Sequence, residues 1–326
     1  MSIKSLIDDQ RTSINEDIAS LVDEPAFSAA LRHLSHFAFW TAMPRRKALW
    51  EHQRAAIETM LAYLCADPHL PERPQVREAA LLKLPTGTGK SGIVAVLARC
   101  LPKVKRALIL TPRESLVVQM SDDVRYRFWG HLGYDVTIGK TFTADATEFG
   151  AELMDVYVET LLPSHSDTIL HHVPVSDRAL LVGTYQALDL IRRRAKDTRP
   201  QRATKQKAAE NLLKLLGTFD LVVVDEGHYE PAVSWSKGVR ELNRPTVLLS
   251  ATPYRNDFKS FRVRGRFVFN YPHAAAVDAH VIRDVAIEGA PRGDEVPLPR
   301  SSSKRSRANC RACWLRRPHG RKRRRS

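Results

Sequence analysis

Short continuous apolar runs recur through the middle of the chain: "AALLKL" (79–84), "RALILTP" (106–112), "ALLVGTY" (179–185), "LVVVDE" (221–226) and "TVLLSAT" (246–252). Runs of this kind, unlike alternating ones, mark strands covered on both faces. Longer amphipathic stretches separate them. The first run leads through a glycine loop into a helix that Pro102 closes. "RESLVVQMSDDVRYRFW" then places Leu116, Met120 and Val124 at helical spacing, and "QALDLIRRRA" and "EPAVSWSKGVREL" follow the third and fourth runs. Strands alternating with helices imply right-handed parallel crossovers, so the expected fold class is α/β with a doubly wound, mostly parallel sheet.

The flanks read differently. "SLIDDQRTSINEDIASL" spaces Leu6, Ile14, Ile18 and Leu21 for a helix, and residues 1–44 are expected to be a helical extension. A second helix fits "RRKALWEHQRAAIETMLAYLC", where Leu49, Ile57, Leu61 and Leu64 can share a face before the Pro-rich "DPHLPERPQ" breaks the chain. Two stretches interrupt the rhythm: 140–178, with a helix expected at "TEFGAELMDVYVETLL", and the basic "RRRAKDTRPQRATKQK" at 192–207. Both are expected as insertions on the rim of the sheet. "FRVRGRFVFNY" (261–271) alternates with period two, as an added edge strand would. No internal repeat is visible.

Charge changes this picture only at one end. The 326 residues carry a formal +15, but residues 300–326 hold 12 Lys or Arg and no Asp or Glu, leaving residues 1–299 at +3. The basic excess therefore describes the C-terminal run, and nucleic-acid binding by the body needs support from motifs. No apolar run reaches the roughly 18–20 residues of a membrane span. The acidic start is unlike a secretory signal, and four cysteines without even spacing are unlike a disulfide framework. These features lead us to expect a cytoplasmic protein with no membrane partner. Cys65 and Cys100 read as helix-buried thiols, and the pair His171–His172 as surface.

The chemistry is concentrated in two turns. "PTGTGKS" follows the first strand and opens a helix. Gly87 and Gly89 let backbone N–H groups curl around phosphate oxygens, with Thr86 and Thr88 between and beside them. Lys90 is placed to reach the β and γ phosphates, and Ser91 to ligate Mg²⁺. The helix start adds its positive dipole end. "LVVVDEGH" sets two carboxylates at the carboxyl end of a buried strand, where open α/β sheets bind ligands. Asp225 is expected to hold Mg²⁺ and Glu226 to orient and deprotonate a water.

"PTGTGKS", "DEGH" and "SATP" (250–253), in this order, resemble motifs I, II and III of superfamily 2 helicases and translocases. The nearest likeness is to the branch of UvrB-like proteins and restriction-enzyme motor subunits. "LWEHQ" (49–53) is similar to the element whose glutamine reads the adenine edge, here Gln53, with Trp50 where Arg is usual. "LTPRESLVVQ" and "VGTYQAL" resemble the segments that contact a nucleic-acid backbone in relatives. The resemblance spans roughly 45–272 and implies a RecA-like P-loop NTPase domain using ATP and Mg²⁺. It implies that His228 couples the nucleotide to Ser250 and Thr252. It also implies that Thr111, Pro112, Arg113, Thr184 and Tyr185 lie along nucleic acid, most naturally double-stranded DNA.

A motor of this superfamily has two RecA-like domains, the second supplying an arginine finger worth about 10³ to 10⁵ in rate, or about 4–7 kcal/mol of barrier. After "SATPYRND" 69 residues follow, 258–326, without a recognisable motif IV, V or VI. The expectation is an ATP-binding motor domain that hydrolyses ATP weakly alone. Residues 273–299 would be a linker or vestigial second domain and 300–326 a basic disordered tail. That tail has three readings: a nucleic-acid-binding arm, a plain extension, or an out-of-register ending. Cys310, Cys313 and His319 fall short of a closed four-ligand zinc site. Two rivals remain. One is a non-catalytic ATP- and DNA-binding module that needs a second motor domain or restriction–modification subunits. The other is a P-loop kinase or switch unrelated to DNA.

Overall fold

The computed structural model describes residues 22–41, 47–66, 79–134, 156–227, 233–252 and 263–283. The sequence expectations at 1–21, at His228 and at 284–326 lie outside these residues. In chain order the elements are α1 (Glu24–Ser35), α2 (Glu51–Leu64), β1 (Ala79–Lys83), α3 (Lys90–Arg99), β2 (Arg106–Thr111) and α4 (Glu114–Asp122). There follow β3 (Tyr157–Leu161), α5 (Ser166–His172), β4 (Ala179–Thr184), α6 (Tyr185–Ala195) and α7 (Ala203–Leu216). The last five are β5 (Leu221–Val224), α8 (Val233–Glu241), β6 (Thr246–Ser250), β7 (Val263–Asn270) and α9 (His273–Asp278). Helix α4 runs on through a π-turn, Asp123–Arg127, into a last turn, Phe128–His131.

Seven strands form one sheet in the order β3-β4-β2-β5-β6-β1-β7, and every pairing is parallel. The five apolar runs are its five central strands. Alternate residues of each face opposite layers. Leu82, Ile109, Val182, Val223 and Leu249 pack with Ile57, Ile93, Val96 and Val124 of α2, α3 and the α4 extension. Leu81, Leu108, Leu181, Val222 and Leu248 pack with Leu188, Ile191, Leu212 and Ile169 of α6, α7 and α5. Burial on both faces is why these strands carry no polar alternation.

Two expectations are corrected. The helix predicted across 147–162 is, over its described end, the edge strand β3. Tyr157, Val158 and Thr160 favour a pleated surface, and β3 pairs with β4 from Tyr157↔Ala179 to Leu161↔Gly183. Gly183 makes room for this, since a Cβ there would meet Leu161 Cβ at 2.7 Å. The basic stretch 192–207 is no excursion on the rim either. It is the end of α6, a 3₁₀ turn at Pro200–Arg202 and the start of α7, which buries Ala209, Leu212 and Leu216 on the second face. The strand over 263–270 does lie at an edge, beside β1.

Neither expected boundary, at 44 or at 272, divides the packing. Leu34, Phe37, Phe39 and Trp40 join the first core, as do Ala275 and Ala276 of α9. His171 and His172 are exposed, and Cys65 and Cys100 are buried thiols at the ends of α2 and α3. Among the described residues no helix is long and apolar enough to cross a membrane.

Candidate nucleotide site

The glycine loop leaves β1 and turns into α3 on two left-handed residues, Gly87 at φ +88° and Gly89 at φ +73°. Gly89 is the N-cap of α3. An L side chain is strained at such angles, and a Cβ on Gly89 would fall 2.4 Å from Gln53 Nε2. Helical bonding begins with the Gly92 and Ile93 N–H groups, both donating to the Gly89 carbonyl. The turn before it is the polar end that attracts anions.

Neighbours hold the loop in this shape. Thr88 is buried, and its hydroxyl donates to the Pro85 carbonyl at 2.8 Å. The Gln53 amide, only 6% exposed, donates from Nε2 to the Gly89 carbonyl at 3.2 Å and accepts the Trp50 N–H at Oε1 at 3.0 Å. His52 Nε2 donates to the Thr88 carbonyl at 2.9 Å while its ring stacks on Tyr271 at 4.4 Å. Trp50 is 44% exposed next to His52. Gln53 thus clamps α2 to the loop, a task its place in "LWEHQ" does not announce. His52 does the same from the neighbouring position, and the only sequence signal for it is that adjacency.

Lys90 Nζ lies in the loop, donating to the Leu84 and Pro85 carbonyls at 3.3 and 3.4 Å. Burial pushes its ammonium below the usual lysine value, while the charges of Glu226 and Asp225 pull it back up. Both carboxylates therefore act on the loop across the crevice, as the order of strands β1, β6 and β5 requires. Asp225 is held by its backbone: its N–H donates to the Leu110 carbonyl at 2.8 Å and its C=O accepts the Tyr185 hydroxyl at 2.8 Å. Glu226 is itself left-handed, at φ +53°, a conformation costing a non-glycine residue about 1–3 kcal/mol. The loop also touches the "SAT" segment, where the Leu84 N–H donates to the Ser250 carbonyl at 3.1 Å. Ser250 is buried, with its hydroxyl donating to the Thr252 carbonyl and accepting the Thr252 N–H.

The residues expected along nucleic acid separate by burial. Pro112 is half-buried and Arg113 exposed at the start of α4. Thr111 and Thr184 are buried. The Thr111 hydroxyl donates to the Arg113 carbonyl and the Thr184 hydroxyl caps α6. Tyr185 is 4% exposed. Side chains of these three brace the ridge from below.

A Mg²⁺–triphosphate fits this donor set. Two left-handed glycines open the backbone at a helix start, an ammonium stands in the mouth, and a serine hydroxyl and two carboxylates converge on it. Among the described residues no group of three or more His, Cys, Asp or Glu could hold a metal without such help.

Comparisons with known proteins follow the same lines. A nuclease-deletion mutant of the Type ISP restriction–modification enzyme LlaGI, solved with a DNA substrate mimic, is 18% identical with a TM-score of 0.44 over 72% of this chain and 21% of that one. The Hef helicase domain of Pyrococcus furiosus is 18% identical, TM-score 0.38, over 60% and 35%. Mycobacterium smegmatis helicase Lhr, bound to ssDNA and AMP-PNP, is 16% identical, TM-score 0.39, over 64% and 25%. The chain thus spans about a fifth to a third of the length of these proteins. No curated protein matches it. The family model described as "Type III restriction enzyme, res subunit" matches residues 46–255, and the chain belongs to that family.

Proposed function

We propose that the chain is the ATP-binding motor domain of a restriction-type DNA helicase or translocase, coupling ATP hydrolysis to binding of, or movement on, double-stranded DNA. The observation that carries this reading is Lys90, seated in a left-handed glycine loop under the charges of Asp225 and Glu226. Thr86, Gly87, Thr88 and Gly89 would wrap the phosphates and Lys90 would neutralise them. Ser91 and Asp225 would hold Mg²⁺, and Glu226 would orient and deprotonate the attacking water. Gln53 and Trp50 stand at the base end of the loop. His228 would relay the state of this site to Ser250 and Thr252. When bound, ATP supplies the phosphoanhydride bond whose hydrolysis drives the motor. Pro112 and Arg113 offer the exposed contact to a DNA backbone.

The test is binding of a fluorescent ATP analogue with Mg²⁺, beside steady-state turnover with and without duplex DNA. Lys90→Ala should abolish binding. Glu226→Gln should keep binding and abolish turnover. Binding without DNA-stimulated turnover would mark a module that needs a partner's arginine finger. Loss of neither property in Lys90→Ala would end the nucleotide reading.

A further inference from the structure

The glycine loop is not the only irregular backbone near Ser91. Helix α4 widens into a π-turn at Asp123–Arg127 before closing again at Phe128. Single π-turns within α-helices are uncommon and often serve a site. This one carries Asp123 onto α3, where its carboxylate accepts a hydrogen bond from the Ser91 hydroxyl. Arg127 lies 3.7 Å from the same carboxylate. From the periodicity of "SDDVRYRFW" alone, nothing singles out Asp123 among its acidic and basic neighbours.

We propose that Asp123 is a positioning residue for Ser91: it takes the hydroxyl proton, so that the lone pairs of Ser91 Oγ face the divalent cation. This rests on reading the glycine loop as a Mg²⁺–nucleotide site. A serine hydroxyl has one proton and two lone pairs, and an ionised carboxylate accepts only. With its proton held by Asp123, Oγ has no donor left to turn toward the cation. Groups behind a metal ligand set its orientation in this way.

The packing holds the π-turn in register with α3. Phe128 lies against Gly92, where a Cβ would come within 2.5 Å of Phe128 Cε2. Seven residues on from Gly92, Arg99 is 1% exposed and donates from Nη1 to the Arg125 carbonyl at 3.0 Å and the Val124 carbonyl at 3.4 Å. Its guanidinium sits 5.3 Å from the centre of the Trp129 ring, whose Nε1–H donates to the Val124 carbonyl at 2.8 Å. A widened turn disturbs the regular carbonyl ladder, and these buried donors satisfy carbonyls within it. Three contacts along α3, at Ser91, Gly92 and Arg99, therefore clamp the helix that starts in the glycine loop to the helix that carries Asp123.

The experiment is a Mg²⁺ titration of fluorescent-ATP-analogue binding by the full chain, comparing Asp123→Asn, Ser91→Ala and the double variant. Asp123→Asn is expected to raise the Mg²⁺ needed for half-maximal binding about tenfold, within the range for removing a group behind a metal ligand. Binding measured in EDTA should be unchanged. In the Ser91→Ala background Asp123→Asn should add nothing, which a purely structural role would not produce. Asp123→Glu, which keeps the charge on a longer arm, should recover part of the Mg²⁺ affinity, and it answers the question if the Asn variant melts early. An unchanged Mg²⁺ requirement, or additive effects in the double variant, overturns the proposal while the unaltered chain still responds to Mg²⁺. An unaltered chain that shows no Mg²⁺-dependent binding overturns the nucleotide reading along with it.

Discussion

The Tyr185 hydroxyl donates to the Asp225 backbone carbonyl at 2.8 Å, from the first turn of α6 to the turn that leaves β5. The bond ties the acidic turn to the adjacent ridge, and the left-handed Glu226 directly follows it. Removing the hydroxyl alone leaves the Asp225 carbonyl without this buried donor. Tyr185→Phe is expected to cost about 1 kcal/mol of stability. It should also weaken Mg²⁺–nucleotide binding several-fold through the freed turn. A denaturant melt and a nucleotide titration check both, and a variant that melts like the parent would show that the bond does no structural work.

Gly89 faces two independent obstacles to substitution, its left-handed φ and the Gln53 amide 2.4 Å from an added Cβ. Gly89→Ala should lose about 1–2 kcal/mol from the backbone term alone. It should also push Gln53 off the Gly89 carbonyl. Pairing it with Gln53→Ala separates the two terms. The steric part should vanish in the Gln53→Ala background and the backbone part should remain, as a double-variant cycle in urea will read.

His52 is buried between Tyr271 and the glycine loop, and burial lowers its tendency to take a proton below the ordinary value of 6.5. His33 is shifted in the same direction, by burial and by Arg178. The unfolded chain then binds more protons than the folded one below that value, so stability rises with pH. The contribution is fully present above about 6.5 and is lost as pH falls through the lowered folded values, at up to about 1.4 kcal/mol per pH unit for each group. Melting temperatures between pH 7.5 and 5 should fall, and His52→Asn should flatten the slope. An unchanged slope in that variant would assign the acid sensitivity elsewhere.

Burial pushes the Cys100 thiol up to about 12 and raises that of Cys65 as well. Reactivity needs an accessible thiolate, and these side chains offer neither access nor charge at neutral pH. Peptide-mapped alkylation of the native chain at pH 7.5 should therefore leave Cys65 and Cys100 unmodified, with labelling only after denaturant is added. Rapid native labelling of Cys100 would mean that α3 opens far more readily than its packing suggests.

Much of the fold and part of the site were legible in the chain before any coordinates. A strand buried on both faces leaves no room for polar alternation, so "RALILT" and "LVVV" announce themselves by composition alone. Phosphate-type loops demand glycine where φ is positive and a lysine at the following helix start, which makes "GTGKS" recognisable at any distance from its partners. The segment "DVYVETLL" was not legible. Its apolar positions suit a helix as well as a strand, and the open edge of β4 decided the matter. Helix α7 was hidden in the same way, because a run of basic residues obscures the apolar face at Ala209, Leu212 and Leu216.

The same division runs through the site. Residue types and their order in the chain were enough to nominate Lys90, Ser91, Asp225 and Glu226, because covalent neighbours set the local backbone each of them needs. Which groups stand behind them depends on contacts between distant segments. Gln53 closes on Gly89 across 36 residues, Tyr185 on Asp225 across 40, and Asp123 reaches Ser91 only because one helical turn widens. Those contacts form when side chains from separate elements compete for the same buried space, and that competition is settled only once the sheet has brought the elements together.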